Sequence, residues 1–155
     1  ENTPDALVIC CFGDPGLWVA RALLPVPVIG MAEASCHAAC QLGRRFAIVT
    51  GGAAWGPMLA RFVADLGLGT RLSGIHTLEL TGDRIAAARD AARAEIGRAA
   101  AEAADDGADV VILGGAGLIG FAAELQRESP VPLLDSLNCA VTQAVAIGTL
   151  QHAAR

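Results

Sequence analysis

The sequence predicts an α/β fold of two pseudo-symmetric lobes, each a parallel sheet flanked by helices, with the first lobe truncated at its N-terminus. Three observations predict it. Short runs of branched apolar residues alternate with longer helical stretches along nearly the whole chain. The strand-like runs are almost continuously apolar and close on Gly, Thr or Ser, as strands buried on both faces of a parallel sheet do. A loose two-fold echo joins the halves. Cys11-Phe12-Gly13-Asp14-Pro15-Gly16 followed by Pro27-Val28-Ile29-Gly30 returns as Gly114-Gly115-Ala116-Gly117 followed by Pro130 to Asp135. Each is a strand end, a glycine-rich turn, a helix and a strand entered through proline. The implied lobes are 1–30 with 137–155, and 31–136. The truncation is inferred from Asp5-Ala6-Leu7, which leads into a strand with no preceding βα unit.

The predicted strands, in order, are Ala6–Cys11, Val26–Gly30, Arg45–Thr50, Arg71–Leu78, Asp109–Leu113 and Val131–Leu134. Helices fill the gaps. Trp55, Met58, Leu59, Phe62, Val63 and Leu66 fall at helical spacing and read as one core-facing stripe. The longest helix is expected from about Asp83 to Asp106, with Ile85, Ala88, Ala92, Ile96, Ala99 and Ala103 on its packing face and Gly107 as its C-terminal cap. Arg89, Asp90, Arg93, Glu95 and Arg98 read as its solvated face.

Composition narrows the chemistry. The chain has 155 residues, 54% hydrophobic and 17% charged, enough to bury a core. A net charge of −5 argues against nucleic-acid binding, and no apolar run approaches a membrane span. All eleven basic residues are arginines. Without lysine, the chain can form neither a pyridoxal phosphate Schiff base nor a Walker-type phosphate loop. Tyrosine is absent too, leaving Cys, His, Asp and Glu for acid–base work. Five cysteines in a chain that is not loop-rich point away from a disulfide scaffold and toward a reducing cytoplasm. Cys36 and Cys40, four apart around His37, share a helix face. Their reading as buried small hydrophobes outweighs a metal pair, because no second pair has zinc-site spacing. His37 on that apolar helix reads as a buried, satisfied histidine.

Cys11 is the residue that most needs a role. It follows a strand and precedes a helix N-terminus, where ligands bind in open parallel sheets and where a thiol can be acidified. The bland alternative is a buried strand-end cysteine. Cys10 lies next to it, and alternation along a strand predicts that only one of the two reaches a cleft. Asp14 reads as the cap of the helix after the turn, and Ser136 and Asn138 as caps of the last helix. Thr50 with Gly51-Gly52 reads as a carbonyl or oxyanion contact.

These residues carry a resemblance. The segment Asp5 to Leu17, with Cys11-Phe12-Gly13-Asp14-Pro15-Gly16, resembles the first cysteine motif of the Asp/Glu/hydantoin racemase superfamily, nearest its hydantoin and allantoin racemase branch. Pro27 to His37 resembles that branch's next strand and helix, and Leu42 to Thr50 the start of its second lobe. The resemblance runs from Asp5 to the C-terminal helix. It implies a cofactor-independent isomerase of carbon acids such as 5-substituted hydantoins or allantoin, a small-molecule substrate and a homo-oligomer, with no membrane or nucleic-acid partner. It also implies an N-terminal strand–helix segment that this sequence lacks. Phe12-Gly13 stands where the amino-acid racemases have Asn-Thr, which disfavours aspartate or glutamate.

Inverting a carbon acid needs a base on one face and an acid on the other, and the resemblance assigns these roles to two cysteines. Cys11 matches the first. The second falls at Gly115, in Gly114-Gly115-Ala116-Gly117. Three readings follow: another group, foremost Asp135, replaces the lost thiol; Cys11 alone supplies the proton of a cofactor-free decarboxylation; or the turn binds a carboxylate or imide anion without catalysis. His37, Glu33 and Cys139 are further candidates for the second group. Candidate substrate contacts are Phe12, Glu33, Thr50, Gly114, Gly115 and Ala116. For Glu33, substrate positioning rests on the resemblance, and a first-turn carboxylate serving the helix dipole is the equal alternative.

Overall fold

The computed structural model describes residues 4–79, 85 and 87–153. Strands and helices alternate: β1 Leu7–Ile9, α1 Leu17–Leu23, β2 Val28–Gly30, α2 Met31–Leu42, β3 Phe46–Gly51, α3 Trp55–Asp65, β4 Leu72–Leu78, α4 Arg89–Asp105, β5 Val110–Gly114, α5 Phe121–Leu125, β6 Leu133–Asp135 and α6 Ser136–Ala153. All six predicted strands exist with shifted ends: each begins one or two residues later than expected, and β3, β5 and β6 run one residue further, to Gly51, Gly114 and Asp135. The last starts at Leu133 because Pro132 has no N–H to pair. The first ends at Ile9, which leaves Cys10 and Cys11 in the turn beyond it. The helix expected from Asp83 is described from Arg89, and Asp83 itself lies outside the described residues. Its end is as expected at Gly107. The Gly107 N–H donates to the Ala104 carbonyl and the Ala108 N–H to the Ala103 carbonyl, a Schellman pair.

The strands form two parallel sheets, β1-β2 and β4-β3-β5-β6. β3 and β5 lie at the centre of the second sheet, and side-chain alternation divides them between two cores. Val49, Val111 and Leu113 face α4 and α5, meeting Ala92, Ile96, Ala99 and Phe121. Ile48, Val110 and Ile112 face the other way, toward Ala32, Cys36, Ala39, Leu59 and Val63 of α2 and α3. Alanines on the packing faces of α2 and α4 let both helices approach the sheet closely. Cys36 is a core residue, and burial pushes its thiol up to about 12. α6 packs across α2 and the β1-β2 sheet.

Two long-range side chains close the ends of α2. At its N-terminus Gly30 has no side chain to offer as a cap. Asp14 acts in its place, accepting the Ala32 and Glu33 N–H groups at 2.8 Å each. Asp14 is therefore a helix cap, but of α2 and not of α1, where Gly16 holds the cap position. At the C-terminus the Arg71 guanidinium donates to the carbonyls of Cys40 at 3.1 Å, Gly43 at 2.7 Å and Arg44.

Candidate active site

The sheet order decides where a ligand can sit. From β3 the chain moves to β4 on one side, then crosses to β5 on the other. A crevice opens where the direction reverses, beyond the carboxyl ends of β3 and β5. There Thr50 and Gly51 end β3, Gly114 ends β5, and the turn Ala116–Leu118 follows. The loop after β1 brings Cys10, Cys11 and Phe12 to the same place. Together with Trp55, Leu59 and Ile85 they enclose a cleft of about 200 Å³.

Several contacts fix its shape. The Thr50 hydroxyl donates to the Gly114 carbonyl at 2.8 Å, tying the two strand ends together. The Phe12 ring lies over Gly114, where a Cβ would come within 2.5 Å of it. Gly115 has φ 128° and ψ 149°, a region open essentially to glycine. The space beside it is open: a Cβ there would meet nothing nearer than Leu118 at 3.9 Å and the Thr50 hydroxyl at 4.0 Å. The Gly115 N–H points to the Ser136 hydroxyl at 3.4 Å. The next N–H groups, of Ala116 and Gly117, open a 3-10 turn, and the first residues of such a turn have no partner within it.

Six of the eight residues expected at the site thus meet: Cys11, Phe12, Thr50, Gly114, Gly115 and Ala116. Cys10 also borders the cleft, and both thiols are exposed. The alternation expected to separate them does not apply, because both lie past the end of β1. α1 begins at Leu17, beyond an intervening turn, so Cys11 is not at a helix terminus.

The other two residues lie elsewhere. Asp135 caps α6, accepting the Leu137 N–H at 3.0 Å and the Asn138 N–H at 3.1 Å. Its other oxygen accepts the Gly120 N–H at 2.7 Å. It borders a separate opening of about 890 Å³ between α2, α5 and α6, along with His37 and Cys139. The cap of α6 is therefore Asp135, not Ser136 or Asn138. Glu33 pairs with Arg21 beside a third opening, lined also by Val28 and Ile29. His37, expected to be buried, is exposed. Among the described residues no three His, Cys, Asp or Glu side chains are grouped to hold a metal ion.

Sequence reasoning missed Trp55, Leu59 and Ile85 as cleft residues. All three sit at helical spacing among core residues, and only their closeness to a strand end in space sets them apart. Trp55 is on the first turn of α3 and remains 49% exposed, unlike the rest of its stripe.

The Asp/Glu/Hydantoin racemase family model matches residues 1–144. A hydantoin racemase from Paenarthrobacter aurescens is 37% identical over 153 residues, covering 98% of this chain and 65% of that protein. The crystal structure of allantoin racemase from Pseudomonas fluorescens superposes with a TM-score of 0.91 at 27% identity, covering 97% of this chain and 65% of that one. Allantoin racemase from Klebsiella pneumoniae gives 0.90 at 31% identity, covering 95% and 60%. The chain therefore spans 60 to 65% of the length of these relatives. With a matching family model over most of its length and this strand-end cleft, the chain belongs to the Asp/Glu/hydantoin racemase family.

Proposed function

We propose that this chain forms part of a cofactor-independent racemase-type enzyme acting on a cyclic ureide, a hydantoin or allantoin, with Cys11 as its acid–base group. The observation that carries this is the meeting of Cys11 with the Gly114–Gly117 turn at one cleft, from segments far apart in the sequence. The C5–H of a hydantoin ring is acidic because its carbanion delocalises onto the neighbouring carbonyl. Cys11 as thiolate takes that proton. The C–H electron pair moves to the carbonyl oxygen, and N–H groups of the turn receive the developing charge. Return of the proton from the Cys11 thiol to the same face gives exchange with retention; a proton from water on the turn side, where Gly115 carries no acid, gives the other enantiomer.

The expected roles of Phe12, Thr50, Gly114, Gly115 and Ala116 in substrate contact belong to this reading. Asp135 is left out of it, since its oxygens already accept three N–H groups away from the cleft. Glu33, held by Arg21 at another opening, is left out as well. The lobe division, 1–30 with 137–155 against 31–136, is also retained, supported by the separate β1-β2 sheet on which α6 packs. Exposed Trp18, Val19 and Leu23 on α1, and Val145 and Leu150 on α6, support a homo-oligomer. Sedimentation velocity returning a monomer across micromolar concentrations would remove that part. Free cysteines throughout support a reducing compartment such as the cytoplasm.

The test is proton NMR in D2O with single enantiomers of 5-substituted hydantoins and of allantoin. Exchange of the C5 proton should exceed the uncatalysed rate and fall about a hundredfold or more in Cys11→Ala. Unaltered exchange in Cys11→Ala would sink the acid–base assignment. A second reading has its own observation in Gly115, which offers no acid on the turn side of the cleft. A single thiol suffices for a decarboxylase, where loss of CO2 forms the carbanion and one proton quenches it. Release of CO2 from an arylmalonate, with no ureide exchange, would favour that reading.

A further inference from the structure

The lining of the cleft is of two chemical kinds. One is polar: the Thr50 hydroxyl and the backbone of the turn from Gly115 to Gly117. The other is apolar: Phe12 and Leu59 reach it from one core, Ile85 and Leu118 from the other, and Trp55 joins Leu59 on successive turns of α3 to form one apolar wall. No charged side chain among the described residues borders it. Four of the apolar five are held by the core, with Phe12 8%, Leu59 1%, Ile85 1% and Leu118 2% exposed. Trp55 is the exception at 49%. Its ring edge rests over Gly52, which seats the indole at the mouth while leaving much of its surface uncovered. A large apolar ring left half in water at the rim of a cleft is surface that a ligand can cover.

We propose that Trp55 determines specificity, selecting cyclic ureides with an apolar C5 substituent, alkyl or benzyl, over allantoin. This rests on the racemase-type reading above. The ring of every such substrate carries the same imide and carbonyl groups, which suit the polar turn. The wall then remains for the C5 substituent. An alkyl or benzyl group sheds water there against Trp55 and Leu59. The substituent of allantoin is a ureido group, with three N–H donors and a carbonyl. Among the described residues, Trp55 and Leu59 offer these no partner, and polar groups desolvated without partners weaken binding in ground and transition states alike.

The experiment compares C5 exchange of 5-benzylhydantoin, 5-isobutylhydantoin and allantoin, each corrected for its spontaneous rate, in wild type, Trp55→Ala and Trp55→Gln. The expected kcat/KM for 5-benzylhydantoin exceeds that for allantoin by about a hundredfold. Trp55→Ala should shrink that ratio about tenfold, mainly through KM for the benzyl substrate, and Trp55→Gln should shrink it further. Circular dichroism confirms that each variant is folded. Allantoin exchanged as fast as the benzyl compound, or a ratio unmoved in both variants, overturns the inference. Absence of exchange with every ureide sinks the racemase reading instead. The specificity inference is then decided by indole fluorescence in a Trp18→Phe background, where Trp55 is the remaining tryptophan. Quenching by 5-benzylhydantoin and not by allantoin supports it; equal quenching by both, or by neither, overturns it.

Discussion

Asp14 acts on a helix it does not belong to. It is a non-glycine residue with positive φ, 52°, and that conformation aims its carboxylate at the N–H groups of Ala32 and Glu33. Burial pushes the carboxyl above its usual range, opposed by the two N–H bonds. Asp14→Asn tolerates the same backbone but offers one acceptor oxygen, and its NH2 opposes the second N–H. The expected loss is about 1–3 kcal/mol, read from urea midpoints at neutral pH. The pH dependence has a definite sign. A folded-state pKa raised above the unfolded 3.8 means the native state holds this proton more tightly. That contribution is fully present below the unfolded value and is lost as pH rises through the folded one. The stability gap between wild type and Asp14→Asn should therefore narrow as pH rises from the acid range; a gap that widens would contradict this. Gly115 is a second residue with a backbone conformation that L side chains rarely adopt. Gly115→Cys should fold, since its Cβ has open space, but with a cost of about 1–3 kcal/mol from the unfavourable φ, seen as a lowered Tm. It would place a second thiol on the turn side of the cleft. Chiral analysis should then show inversion keeping pace with C5 exchange, and inversion no faster than in wild type would deny the turn that role.

At the scale of elements, α2 depends on Arg71 at its C-terminus as it does on Asp14 at its N-terminus. Arg71→Leu removes donors to three carbonyls and should destabilise by about 1–3 kcal/mol in urea unfolding. Arg71→Lys should recover part of this, because an ammonium cannot spread its donors in a planar fork. The pairs joining Arg89 to Glu124 and Arg93 to Glu128 bridge α4 to the α5 region but are exposed. Glu124→Gln with Glu128→Gln should change stability by less than about 1 kcal/mol in total. The contrast explains what the sequence could reveal. Strands were legible because buried parallel strands write continuous branched runs, and Gly107 was legible because a helix stop is local chemistry. Partners distant in sequence were not. Nothing near Asp14 shows that its carboxylate serves α2, and nothing near Asp135 shows that its oxygens are taken by Gly120, Leu137 and Asn138. Cys11, Thr50 and the Gly114 turn were legible as strand ends. Trp55 was hidden because its spacing is that of the core residues Leu59 and Val63, and helical period cannot tell the first turn facing a cleft from the turns facing a sheet.

For the whole molecule, the two sides of the cleft belong to sheets of unequal strength. β3 and β5 pair on both edges and are covered on both faces. β1 has one partner and is partly exposed along its three residues. Local opening should follow this difference. In hydrogen exchange read by mass spectrometry, amides of Phe46–Gly51 and Val110–Gly114 should exchange through global unfolding, and those from Leu7 to Cys11 about tenfold faster or more. Under the proposed function, the turn placed to receive negative charge is thus anchored to the better-covered sheet, and the Cys11 thiol follows a strand of the other. A ligand lying between them would couple the two. Saturating 5-benzylhydantoin should slow exchange from Leu7 to Gly13 while leaving β4, outside the cleft, unchanged. Slowing confined to the turn after β5 would mean that the ligand does not reach Cys11. Proton transfer requires the donor and carbon to meet within hydrogen-bond reach. Under the proposed reaction that distance depends on where the β1-β2 sheet stands relative to β3 and β5, since Cys11 follows β1 and the Gly114–Gly117 turn follows β5. Weakening β1 pairing should therefore lower kcat more than it raises KM.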